Sequence, residues 1–138
     1  MGGRALILLD THVLIWLDQD DPALGPAARG RADEALRAGE LAVSAISFWE
    51  VAMLAAKRRI VMKMPLDSWR RDFLGSGLIE IPLDGQVGIA AVELSDFHAD
   101  PADRIIIASA IHNGAAVLTA DRSMLDWPGT LDRHDARV

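Results

Sequence analysis

With no cysteine among its 138 residues, this chain can form neither a disulfide nor a thiolate metal site. It also has no apolar run near the roughly 20 residues that a bilayer-spanning helix needs. The apolar core Ala5-Leu-Ile-Leu-Leu9, behind Met1-Gly-Gly-Arg4, is too short for a signal peptide and leads straight into Asp10. Basic residues are in deficit: the formal net charge is −6, which argues against a general phosphate-binding surface. The histidines (His12, His98, His112, His134) have no spacing typical of zinc ligands and read as surface or internally satisfied residues. No Ser/His/Asp arrangement, repeat, low-complexity linker or second-domain boundary is visible. What is present is 51% hydrophobic and 25% charged, a globular composition. The expectation is one cytoplasmic domain over 1–138 with no membrane association.

The basic residues are unevenly spread. Six of the fourteen Lys and Arg residues (Lys57, Arg58, Arg59, Lys63, Arg70, Arg71) fall within positions 57–71, where only Asp67 opposes them. A local patch of this kind on an acidic chain suits RNA or an acidic partner on one face, and equally suits a solvated charged helix end.

Short apolar runs alternate with helical patterns along the chain. Ala5–Leu9 reads as a strand buried on both faces, followed at once by a helix carrying Val13, Leu14, Trp16 and Leu17. A helix over about 27–38 stops at Gly39, and 41–43 is a second strand. A helix from Ala45 to about Arg59 follows, with Ser44 or Ser47 as its cap; Glu50 is its only acid, costly to bury without a partner. Pro65 opens a helix through Phe73, 78–82 is a strand, and about 84–94 is a helix. The strand 116–119 runs into Asp121 and a short helix around 123–126; the tail from Pro128 offers at most a weak edge strand. The alternation predicts a three-layer α/β/α sandwich around a short, mostly parallel sheet.

The stretch His98-Ala-Asp-Pro-Ala-Asp-Arg-Ile-Ile-Ile-Ala-Ser-Ala-Ile111 is the most informative. Asp100 followed by Pro101 marks a helix start, and Ile105 to Ile111 cover most of the helix circumference, so this helix is buried. Asp103 and Arg104 fall in its first turn. Capping alone accounts for Asp100 and Asp103, unless other carboxylates meet them. Three others are available: Asp10 and Asp121 each follow a strand directly, and Glu50 lies within a helix. In parallel sheets ligands bind beyond the carboxyl ends of the strands, where these acids converge. Converging carboxylates need cations, and an all-oxygen set suits Mg²⁺ or Mn²⁺, which can activate water against a phosphodiester.

The wording around each acid resembles the PIN-domain family, and within it the VapC-type toxins of bacterial toxin–antitoxin pairs. The matching pieces are Leu8-Leu-Asp-Thr-His-Val-Leu-Ile-Trp16, Ser44-Ala-Ile-Ser-Phe-Trp-Glu-Val-Ala52, His98-Ala-Asp-Pro-Ala-Asp-Arg-Ile-Ile-Ile-Ala108 and Leu118-Thr-Ala-Asp121, in family order across nearly the whole chain. The resemblance implies a PIN-like fold and an endoribonuclease dependent on Mg²⁺, with Mn²⁺ able to substitute. Asp10, Glu50, Asp103 and Asp121 match the acidic quartet, with Asp126 as the fallback for the fourth. In-line attack by water would leave a 5′-phosphate and a 3′-hydroxyl. Asp100 also matches a recurrent position but is assigned to capping. Thr11, Ser47 and Thr119 are read as supporting hydroxyls, and Arg104 as a structural ion pair or phosphate contact. The resemblance further implies RNA (transfer RNA among the candidates) as substrate, a VapB-like antitoxin whose tail occupies the groove, and a homodimer. Lys57, Arg58, Arg59, Lys63, Arg70 and Arg71 would then hold RNA backbone by charge.

The rivals are weaker. A phosphoacceptor receiver domain needs a phosphorylatable Asp ending a mid-chain strand and a Lys ending a late one; neither is present. A sugar-phosphate hydrolase of the Asp-x-Asp type lacks its second Asp, because Asp10-Thr-His12 follows the first strand. A non-catalytic PIN-like interaction module is the alternative that metal binding would decide.

Overall fold

Five short strands, all parallel, form the sheet in a computed structural model that describes residues 5–138; Met1 to Arg4, on which the signal-peptide expectation partly rests, lie outside the described residues. The strands are β1 (Ile7–Leu9), β2 (Leu41–Ser44), β3 (Ile79–Ile81), β4 (Ala116–Thr119) and β5 (Arg133–Asp135), in spatial order β3-β2-β1-β4-β5. The helices are α1 (Thr11–Gln19), α2 (Pro26–Ala38), α3 (Ala45–Ala56), α4 (Leu66–Gly75), α5 (Gly85–Glu93), α6 (Pro101–His112) and α7 (Arg122–Leu125). Register pairs Leu8 with Ala42 and Val117, and Leu9 with Val43 and Leu118.

Alternation along the strands splits the core into two layers. Leu9, Leu41, Val43 and Leu118 face one side, where Val13 and Leu14 of α1, the alanines of α2, Val51 of α3 and Trp69 of α4 cover them. Leu8, Ala42, Ile81 and Val117 face the other, against Ile106, Ile107 and Ala110 of α6 and Met124 of α7. The sandwich is therefore three-layered, and α6 buries Ile106 to Ala110 as its composition predicts, while Ile111 stays exposed. No described helix is long and apolar enough to cross a membrane.

Local signals act at the positions that carry them. Ser44, not Ser47, caps α3, accepting from the Ile46 N–H at 3.2 Å. Gly39 ends α2 with φ +71, a conformation that costs glycine little. One expectation needs correction. Helix α3 ends at Ala56, three residues before the expected Arg59. Arg58 takes φ +58, and the N–H groups of Arg58 and Arg59 return to the carbonyls of Ala55 and Leu54, a left-handed helix stop built on arginine in place of glycine. The weak edge strand expected in the tail is β5, which pairs in parallel with β4 at the sheet edge, Val117 opposite Arg133 and Thr119 opposite Asp135.

Candidate functional site

The chain leaves β1 toward β2 and reaches β5 from β4, so the connections diverge on either side of the β1–β4 pair. That divergence opens a cleft beyond the carboxyl ends of these strands. Its volume is about 340 Å³, and its lining includes Asp10, Glu50, Asp100, Asp103 and Asp121.

Asp10 follows β1 directly and caps α1, accepting from the Thr11 N–H at 2.8 Å. Its other oxygen accepts from Thr119 Oγ1 at 2.8 Å, and Thr119 Oγ1 accepts in turn from the Asp121 N–H at 3.0 Å. Thr11 Oγ1 donates to Glu50 Oε1 and sits 2.9 Å from Ser47 Oγ. Thr11 and Thr119 are thus buried hydroxyls bonded to Glu50 and Asp10, and the buried Ser47 hydroxyl meets Thr11 rather than an acid. Asp100 caps α6 through a 3.0 Å bond from the Asp103 N–H, which puts Asp103 in the first turn with its carboxylate free of the cap. Asp121 caps α7 and accepts from Ser123 N and Oγ at 2.9 and 2.7 Å. Asp126, the fallback, ends α7 in an exposed pair with Arg122 at 2.9 Å and does not line the cleft.

These acids are held mainly by neutral donors. Among the described residues, the only ion-pair partner of the four is His98, whose Nε2 lies 3.2 Å from Asp103 Oδ2. Burial pushes the Asp10 carboxyl pKa up, and the hydrogen bonds from Thr119 and Thr11 and the nearby His12 only partly oppose it. Burial also raises that of Glu50, against the Thr11 bond and with Asp10 and Asp100 adding to it. Asp103 is raised most: burial first, then the charges of Asp10, Asp100, Asp121 and Glu50, push it to about 8. Among the described residues no lysine or arginine makes an ion pair with this partly buried, like-charged set of oxygens, although Arg137 shares the cleft, and hard-oxygen ligands suit Mg²⁺ or Mn²⁺. The donor set fits such an ion.

Other expected roles change. Arg104 forms no carboxylate pair. Its guanidinium donates to the carbonyls of His98, Ala91, Leu94 and Phe97 at 2.9, 3.0, 3.2 and 2.8 Å, clamping the segment before α6 onto the helix. Among the basic residues, Arg70 is drawn out of the patch by a two-pronged bond to Glu80 at 2.7 and 3.0 Å. Arg71 makes an exposed pair with Asp67. Arg58, Arg59 and Lys63 border a separate cavity of about 650 Å³ with Ile60, Val61 and Trp69. Among the described residues, the buried Trp69 indole N–H there finds no hydrogen-bond partner.

Sequence reasoning gives no role to His12, Trp16 or Arg137, which line the cleft, or to His98, which meets Asp103 beside it. The Arg137 guanidinium lies 5.7 Å from the Trp16 ring centre, beside the acids. Position 98 could have been suspected from lying two residues before a cap; Arg137 carries no local signal.

A PIN domain family model matches residues 7–128. Ribonuclease VapC22 of Mycobacterium tuberculosis (strain ATCC 25618 / H37Rv) is 39% identical over 119 residues, covering 86% of this chain and 88% of that protein. Among solved structures, VapBC2 from Rickettsia felis bound to a promoter DNA fragment matches with a TM-score of 0.68 at 17% identity, over 94% of this chain and 97% of that one. DNA-bound VapBC from Salmonella typhimurium matches with a TM-score of 0.67 at 19% identity, over the same 94% and 97%. At such identities the structures speak for the fold.

Proposed function

Since the chain belongs to the PIN-domain family, we propose that it is a VapC-type endoribonuclease that hydrolyses RNA phosphodiester bonds with Mg²⁺ or Mn²⁺ in the cytoplasm. The observation that carries the metal-dependent reading is the set Asp10, Glu50 and Asp103, three acids from distant parts of the chain, all pushed toward the protonated form. Asp10, Glu50, Asp103 and, more peripherally, Asp121 would hold the cation. When bound, the ion offsets charge developing on the phosphoryl oxygens and makes water a better nucleophile. Thr11 and Thr119 keep Glu50 and Asp10 oriented by donating to one oxygen of each. Arg137, the cation beside the acids, would meet a phosphate of the RNA, and the half-buried Trp16, which lines the cleft, offers an apolar surface for a base. Lys57, Arg58, Arg59 and Lys63 would hold backbone further along.

An antitoxin partner is proposed from the VapC kinship; the cavity between Ile60 and Trp69, apolar within and basic at its rim, supports docking of an amphipathic segment. A homodimer is proposed as well, supported by Ile89 and Val92 of α5, which are 63% and 79% exposed.

The test is RNA cleavage by purified, antitoxin-free protein in Mg²⁺ or Mn²⁺, with EDTA and Asp103→Asn as controls. Cleavage abolished by both is expected. Equal cleavage by Asp103→Asn would refute the site, and absence of both cleavage and metal binding would favour the interaction module.

A further inference from the structure

The carboxylate cluster has one neighbour for which hydrolysis needs no step. His98 is fixed from three directions. Its ring packs on Phe97 with centres 4.2 Å apart. Its carbonyl accepts from Arg104 Nε at 2.9 Å. Its Nδ1 accepts from the backbone N–H of Asp100 at 3.2 Å. A ring nitrogen that accepts carries no proton, so the neutral imidazole holds its hydrogen on Nε2. That nitrogen lies 3.2 Å from Asp103 Oδ2. Among the described residues no other hydrogen bond reaches the Asp103 carboxylate, whose backbone N–H is already committed to Asp100.

Two roles compete for this imidazole. Ligand atoms of His98, Asp103 and Asp121 lie within 4.8 Å of one another, close enough for one ion. Ligation through Nε2 needs a lone pair there and hence the proton on Nδ1, which would then face the Asp100 N–H donor to donor. The backbone of Asp100 therefore selects the tautomer that donates. We propose that His98 is a positioning residue, its Nε2–H holding Asp103 Oδ2 so that the carboxylate is set for the cation before the cation arrives. This rests on the metal-dependent reading above and adds to it how the least constrained acid is oriented. Oriented outer contacts of this kind typically change metal affinity about 10- to 100-fold.

The experiment measures Mn²⁺ and Mg²⁺ binding by titration calorimetry on the full chain without RNA, for wild type, His98→Ala and His98→Gln. The glutamine amide can return an N–H donor near the Nε2 position. His98→Ala is expected to weaken both ions about 10-fold and by the same factor, while His98→Gln recovers most of the loss. Metal-free melting temperatures should agree within a few degrees, since the ring is partly exposed. Nitrogen-15 NMR of the metal-free wild type at pH 8 should report the Nε2–H tautomer. Unchanged affinity in His98→Ala overturns the proposal. So does a selective loss of Mn²⁺ that glutamine fails to recover, which marks a nitrogen ligand, or an Nδ1–H tautomer. A wild type that binds neither ion overturns this proposal and the metal-dependent reading together; a wild type that binds while the alanine variant matches it overturns this one alone.

Discussion

Asp103→Asn should make the metal-free protein more stable, and increasingly so as pH rises. The Asp103 carboxyl pKa stands at about 8 against an ordinary value of 3.8, because burial and four neighbouring acids disfavour its charge. Between these values the folded chain keeps a proton that the unfolded chain has released. Stability then falls with rising pH: the contribution is complete below about pH 4 and is lost as pH climbs through about 8. From pH 5.5 to pH 8 the corresponding loss is at most about 3 kcal/mol, at about 1.4 kcal/mol per pH unit. Placement in the first turn of α6 returns about 0.3–1 kcal/mol to the charged form. The net expectation is roughly 2 kcal/mol. Asparagine keeps the shape and an acceptor for His98 but does not titrate, so the variant lacks this slope.

Thermal unfolding in EDTA at pH 5.5, 7 and 8.5 reads the difference directly. For a chain of this size about 2 kcal/mol is about 6 °C, so the gap in favour of the variant should widen by that much across the series. Adding Mn²⁺ should reverse the order at pH 8.5. The wild type gains by binding, most strongly where fewest protons must be displaced, and Asp103→Asn gains little. A variant no more stable than wild type at pH 8.5, or a gap independent of pH, would refute the claim that uncompensated charge on Asp103 strains the empty cleft.

Further outcomes follow from other contacts. Thr11→Val keeps volume but removes the donor to Glu50 and the contact with Ser47; calorimetry should report a loss of about 1–3 kcal/mol and metal titration a weaker site. Arg104→Lys cannot fork across five carbonyls, so it should cost about 2 kcal/mol and speed amide exchange between Leu94 and His98. The pair Lys57→Ala with Arg59→Ala should flatten the salt dependence of RNA binding by about 2 in log–log slope, measured by filter binding between low and moderate salt; an unchanged slope would put the RNA elsewhere.

What is legible in the sequence is local. Asp100-Pro101 marks a helix start and Gly39 a helix stop because cap chemistry depends on a residue and its immediate neighbours. Asp10, Asp103 and Asp121 are legible as strand-end and first-turn positions that the parallel sheet brings to one end, and Glu50 only as a lone acid within an apolar helix. What is not legible depends on distant contacts. Nothing in the residues around Arg104 says that it spans five carbonyls, or that Arg58 rather than a glycine turns the chain out of α3. The segment after Pro128 reads as no more than a weak edge strand, because β5 is held by backbone pairing and by one close approach. Ala136 donates to Thr119 O at 2.8 Å and Gly25 to Ala136 O at 2.8 Å, while Ala27 donates to Val138 O at 3.0 Å. A Cβ on Gly25 would meet the backbone of Arg137 and Val138, so backbone must move where no side chain can yield. Gly25→Ala should therefore displace the segment that carries Arg137 to the cleft, costing about 1–3 kcal/mol and raising KM for RNA more than it lowers kcat. Gly30→Ala, in α2 with open space around its Cβ, is the matched control and should gain about 0.5–1 kcal/mol. Equal melting temperatures and equal KM for the two variants would mean that the closing segment does not hold Arg137 in the site.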